Sequence, residues 1–197
     1  MKDTRERLIE AAAEVLREKG LSHLSTREVA RAAGVAEGAL YHHFADKNAL
    51  ILAVIARHSP QYLEDIRNLP LQVGQRTVRE NLVDVGCTIF AFHRQALPIT
   101  CSLFADTELL DRHRKILRAN KVGPTRLYET LIAYLGAEQR MGRASKTADP
   151  EAVATVLVGS CFQLAFLETH WGQKTTQAEA RRKIEGVVDT LMAGFAP

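Results

Sequence analysis

The residues with the clearest chemical purpose lie in one run, 26–47, which reads T-R-E-V-A-R-A-A-G-V-A-E-G-A-L-Y-H-H-F-A-D-K. Tyr41, His42 and His43 bring hydroxyl and imidazole donors, and Gly38 and Ala39 leave room for a close approach. A short helix of this make-up suits the major groove of double-stranded DNA. Thr26 and Lys47, in the first turns of the flanking helices, add a hydroxyl, an ammonium and free backbone amides, the groups that hold phosphates. A plain helix corner is the competing reading, and Leu40, Phe44, Val29, Ala30, Ala33 and Val35 do read as core. A corner alone has no reason to gather Tyr, His, His and Lys around a small-residue helix.

Catalytic chemistry finds little footing. The chain has no G-x-x-x-x-G-K-[ST] loop, no H-E-x-x-H helix and no nucleophile elbow. His93, His113 and His170 have no i, i+4 ligand spacing among themselves or with Cys87, Cys101 and Cys161. No catalytic residue, metal site or cofactor is therefore expected. Three cysteines without C-x-x-C spacing indicate neither a disulfide framework nor a zinc ribbon.

These residues need helices to position them. Ser25 stands three residues before Glu28, which predicts a capping box: serine oxygen to the Glu28 amide, glutamate back to Ser25. That helix ends at Gly34, and Val35 and Ala36 alone separate it from a short second helix over 37–44, the geometry of a helix-turn-helix. Ala36 is a poor N-cap, weaker than Ser by ~1 kcal/mol. Asp46 caps a further helix over 47–57. A first helix over 3–19 carries the stripe Leu8, Ala11, Ala12, Val15 and Leu16, closed by Gly20.

Glycine and proline are few and no hairpin pattern appears, so the fold class is all-α. Later helices are expected over 78–92, with Pro98 as a break or kink, over 107–120, after Pro124, and over 151–171, where Asp149 and Pro150 supply cap and first residue. A polar loop is expected over 136–148. The last helix, 177–195, has the stripe Ile184, Val187, Val188, Leu191, Met192 and Phe195. The division is a helix-turn-helix domain over 1–50, with 47–57 as connector, and a larger helical-bundle effector-binding and dimerisation domain over 58–197. Leu50, Ile51, Val54 and Ile55 of the connector are expected to rest on that second domain.

The chain of 197 residues has 46% hydrophobic and 25% charged residues and a net charge of +3. That is an ordinary globular composition, which allows an anionic partner without demanding one. Its longest uncharged stretch, 152–167, is too short and too polar for the ~20 apolar residues of a membrane span. With no apolar leader at the N-terminus, a cytoplasmic location without membrane attachment is expected. The apolar excess of the last two helices predicts a homodimer. Phe90, His93, Phe104, Tyr128, Cys161, Phe162, Gln163 and Phe166 are candidates for a largely apolar ligand cavity, although the same residues equally make a core.

The run A-A-G-V-A-E-G-A-L-Y-H-H-F-A-D-K-N-A-L resembles the DNA-binding signature of TetR-family transcriptional regulators. The layout is similar as well: a three-helix head of about fifty residues, then a helical domain ending in two long helices. The resemblance implies a homodimeric repressor released from a palindromic operator by a small-molecule effector. It further implies that Thr26, Tyr41 and Lys47 contact phosphates, while Arg27, Glu37, Gly38, Ala39 and His42 face the bases. The apolar cavity residues point to a neutral or lipophilic effector. Charge over 1–57 is nearly balanced, so nonspecific affinity should be modest and binding should depend on the dimer. A ligand-independent architectural DNA binder or helical interaction protein is the alternative.

Overall fold

The computed structural model describes residues 3–57 and 60–193, and all regular structure among them is helical. Ten α-helices follow one another: α1 (Thr4–Lys19), α2 (Thr26–Ala33), α3 (Glu37–His43), α4 (Lys47–Arg57), α5 (Pro60–Asn68), α6 (Val78–Phe104), α7 (Thr107–Ala119), α8 (Pro124–Arg140), α9 (Pro150–Trp171) and α10 (Gln177–Ala193). Phe195, expected in the last stripe, lies outside the described residues.

The chain forms two compact units, the first of residues 1–60 and 95–119, the second of 61–94 and 120–197. In the first, Leu8, Ala12, Val15 and Leu16 of α1 share one core with Val29, Leu40, Phe44, Leu50, Ile51 and Val54. Ile99, Leu103 and Leu109 complete it. The apolar face of α4 is thus taken up by α1 and by segment 95–119, which the sequence division placed in the second domain. Periodicity marks that face as buried without naming its partner.

Helix ends follow local chemistry. The Ser25 hydroxyl accepts from the Glu28 amide at 3.1 Å, but the return arm of the expected box is not made. Glu28 turns instead to the ammonium of Lys19, with Arg31 at 3.7 Å. Gly34 adopts the left-handed conformation, φ 65°, that ends α2. Complete boxes stand elsewhere: Thr77 with Glu80 before α6, and Thr176 with Glu179 before α10, each exchanging amide and side-chain bonds.

Two expectations are corrected. α6 does not end near Phe92 and is not broken at Pro98, but runs on to Phe104. A proline deletes one amide donor to the carbonyl four residues back, and burial of Ala96, Leu97, Ile99 and Leu103 holds the helix on both sides. α8 continues through Gly136 to Arg140, where a loop was expected. The reason is Glu138, fully buried yet satisfied: it accepts from the Gly74 amide at 3.0 Å and pairs with Arg143 at 2.6 Å.

In the second unit, Leu82, Ile89, Leu131, Tyr134, Leu157, Cys161, Ala165, Ile184 and Val188 are buried. At Gly86 of α6 a methyl group would lie 2.7 Å from Ile184 Cγ2 of α10 and 3.4 Å from Leu157 Cδ1 of α9. Helix α9 is, by length and composition alone, long and apolar enough to cross a membrane, more than the uncharged stretch alone indicated. It nonetheless packs against α8 and α10, and its buried Glu168 accepts from the Thr175 amide at 2.9 Å.

Candidate nucleic-acid interface

The three helices α1, α2 and α3 meet so that α3 buries one side and presents the other. Leu40 is wholly buried and Phe44, which follows the helix, is 5% exposed. The guanidinium of Arg5 sits 5.3 Å over the Phe44 ring. Glu37, Gly38, Tyr41, His42 and His43 are all exposed, with Ala39 half-buried between the two sides. A methyl group on Gly38 would meet nothing within 4 Å, so packing does not require glycine there; its effect is to keep the outer surface low.

The turn before α3 is pinned by Arg7, whose guanidinium donates to the carbonyls of Ala33 and Gly34. Those are carbonyls at the end of α2 that its own amides leave unpaired. Ala36 makes no side-chain cap, as its residue type predicts.

Around α3 the proposed contacts fall into two groups. Thr26 donates to Glu37 Oε1 at 2.8 Å and accepts from the Tyr41 hydroxyl at 3.4 Å, so these three side chains form one chain across the mouth of α2 and α3. Arg27 is exposed beside them. Lys47 stands at the start of α4, behind Asp46. Asp46 accepts from the Ala49 amide at 2.7 Å and pairs with Arg112 of α7 at 2.9 Å. The hydrogen bond from Arg112, helped by that from Ala49, holds the Asp46 carboxyl below its usual value.

None of the eight candidate cavity residues lines either of the two cavities described below. Phe90 and Cys161 are core; the Cys161 thiol donates to the Gly86 carbonyl at 3.3 Å, and burial pushes it up to about 12. Tyr128 is half-buried on α8, and Phe104 is 76% exposed in the first unit. Phe162, Gln163 and Phe166 lie on the exposed side of α9. His93 packs edge-on to Phe162 at 5.4 Å, Phe166 stacks at 6.4 Å from Phe162, and His170 and Trp171 continue the series. Burial pushes His93 down, towards the neutral imidazole.

The second unit does hold cavities, but with other walls. One of about 310 Å³ is lined by Asp65, Gln72, Arg76, Asp84 and Thr88. Across it Thr88 donates to Asp65 at 3.2 Å, and Asp84 pairs with Arg76 and Arg181 at 2.7 and 3.0 Å. Another, of about 70 Å³, is apolar, with Leu82, Leu135, Val153 and Met192 among its walls. A polar wall of this kind has no periodic signature, which is why the sequence concealed it. Among the described residues no three His, Cys, Asp or Glu side chains stand together to hold a metal ion.

Two short helices at a glycine turn, the second presenting donors outwards, define a helix-turn-helix protein of the DNA-binding class. The family model described as "Bacterial regulatory proteins, tetR family" matches residues 8–54. Residues 8–54 are thus similar to the DNA-binding head of that family, and the curated relatives that match are named as HTH-type transcriptional regulators. Among similar curated proteins is the HTH-type transcriptional regulator YvdT of Bacillus subtilis, 39% identical over 112 residues, covering 56% of this chain and 58% of that protein. The repressor NemR of Escherichia coli K12 is 29% identical over 99 residues, covering 50% of this chain and 46% of NemR. The chain thus spans about half the length of the curated relatives it matches. The fold as a whole is shared with the fatty acid degradation regulator FadR of Bacillus halodurans, with TM-score 0.72, 19% identity and 98% and 96% coverage. It is shared too with FadR of Bacillus subtilis, solved with stearoyl-CoA, with TM-score 0.70, 18% identity and 97% and 99% coverage.

Proposed function

We propose that the protein is a homodimeric transcriptional repressor that binds a palindromic operator in the cytoplasm and leaves it when a small molecule enters the second unit. The observation that carries the reading is the outer side of α3: Tyr41 and His42 project beside an open Gly38, with Lys47 at the next helix start. In this reading Thr26, Tyr41 and Lys47 hold phosphates, while Arg27, Glu37, Gly38, Ala39 and His42 approach base edges.

Dimerisation is supported by the exposed side of α9. Val156, Phe162, Phe166, Leu167 and Trp171 are 39 to 67% exposed there, with Met192 of α10 at 48%. An apolar patch of that kind is unusual on a monomer. A second copy of the chain covers it.

Effector binding is supported by the larger cavity, whose volume of about 310 Å³ falls at the lower end of the ~300–1,000 Å³ found for ligand sites. Its Asp65, Arg76 and Asp84 redirect the ligand class from the neutral or lipophilic one towards a molecule with hydrogen-bonding groups. The lipophilic class remains as a second reading because a solved neighbour holds stearoyl-CoA. Release needs differential affinity for the DNA-bound and DNA-free forms; a ~100-fold loss of DNA affinity corresponds to ~2.7 kcal/mol of coupling.

Gel shift on DNA flanking its own gene, followed by thermal-shift screening of a metabolite library and repetition of the gel shift with each hit, tests the reading. Retardation abolished by a hit is the expected result. DNA binding that no compound weakens leaves the ligand-independent architectural role, and no DNA binding at all overturns the proposal.

A further inference from the structure

We infer that Glu37 gates the DNA-reading head: its carboxylate holds the hydroxyls of Thr26 and Tyr41 in the DNA-free protein and releases them where a cytosine amino group takes it over. The inference rests on the docking proposed above and assigns Glu37 a role within it.

The proton inventory forces the question. A threonine or tyrosine hydroxyl has one proton to donate. Thr26 spends its proton on Glu37 at 2.8 Å, and Tyr41 directs its own to Thr26 at 3.4 Å. Both hydroxyls assigned to phosphates are therefore committed inside the protein, in a series that ends on an anion. Core satisfaction does not explain it, because Glu37 and Tyr41 are exposed and Thr26 is half-buried.

A phosphate seated on Thr26 must take over the hydroxyl proton that Thr26 donates to Glu37. It must also stand beside a carboxylate in contact with the same oxygen, and two anions that close repel. Docking by the DNA backbone alone is penalised. The carboxylate, an acceptor only, gains a new partner in the major groove from a base amino group, and cytosine N4 is the matching donor. Glu37 is the first residue of α3 on the side that Gly38, Tyr41 and His42 share. Moving Glu37 onto such a base frees Thr26 and Tyr41 for phosphates in one step. The same residue opposes indiscriminate binding and rewards a cytosine in each half-site.

The test uses the full chain, short duplexes of random sequence, and binding-site selection from a random duplex library. Glu37→Gln keeps an acceptor oxygen for Thr26 and removes the charge, and tightens random-duplex binding ~5-fold as the repulsion is lost. Selected sites lose their preference for cytosine at one position per half-site. In a Thr26→Val background the same substitution gives less than half that gain, whereas in Thr26→Ser the full gain returns, since the hydroxyl is restored. Thermal melting of each variant confirms folding.

Equal gains in all backgrounds make Glu37 a distant charge and overturn the gate, as does Glu37→Gln binding no tighter than the parent or an unchanged cytosine preference. Failure of the unaltered chain to bind any duplex overturns the DNA-binding reading and the gate together. Normal binding by the parent with an indifferent Glu37→Gln overturns the gate alone.

Discussion

Arg112 on α7 reaches Asp46, the residue that caps the helix carrying Lys47, with 2.9 Å between guanidinium and carboxylate. Asp46 thereby serves two ends, since its other oxygen takes the Ala49 amide at 2.7 Å. Its carboxyl lies below the usual value, first through Arg112 and then through Ala49. A lowered carboxyl stabilises the fold above the unfolded-state value and loses that contribution as pH falls towards the folded-state value. Asp46→Ala should cost about 1 kcal/mol, mostly the cap, and lower the melting temperature by ~2–4 °C. The deficit should be the same at pH 7 and pH 5 and narrow only below about pH 4. Arg112→Ala should cost less, because the pair is partly exposed. Melting curves of the two variants across pH check this.

Lys47→Ala should weaken binding to all DNA sequences alike and reduce the salt slope by ~1, as expected for one lost phosphate contact. His42→Ala should relax sequence preference in addition. Titrations at several salt concentrations, against selected and random duplexes, separate the two behaviours.

Gly38 and Gly86 should respond to alanine in opposite senses. Gly38→Ala adds a methyl to open space within a helix and should raise stability by ~0.5–1 kcal/mol while weakening DNA binding through the raised surface. Gly86→Ala drives its methyl to 2.7 Å from the branched Ile184 and should destabilise by ~1–3 kcal/mol. Denaturant unfolding and gel shift on both variants decide it.

Phe166→Glu should give a folded monomer with much weaker operator binding, because Phe166 is 42% exposed within the patch assigned to the second copy. Val188→Glu, on the last helix, should unfold the second unit instead, since Val188 is wholly buried. Analytical ultracentrifugation with circular dichroism distinguishes the two; a Phe166→Glu dimer of full activity would place the partner contact elsewhere.

The head was legible in the sequence because its determinants are local. Ser25, Gly34 and Asp46 act within a turn or two of themselves, and the cap bonds at Glu28 and Ala49 stand where those residue types place them. Leu40 and Phe44 could be assigned to the core from their spacing alone. Helical periodicity states which residues share a side, but not which neighbour that side meets. For this reason the partnership of Leu50 and Val54 with Ile99 and Leu109, the outward turn of Phe162 and Phe166, and the polar cavity between Asp65 and Thr88 were decided by packing of distant segments. The burial of Glu138 against Gly74 and Arg143, and the hold of Glu37 on Thr26, have the same origin. A polar side chain takes its partner from the tertiary structure, because the partner's distance along the chain carries no signal in the residue itself.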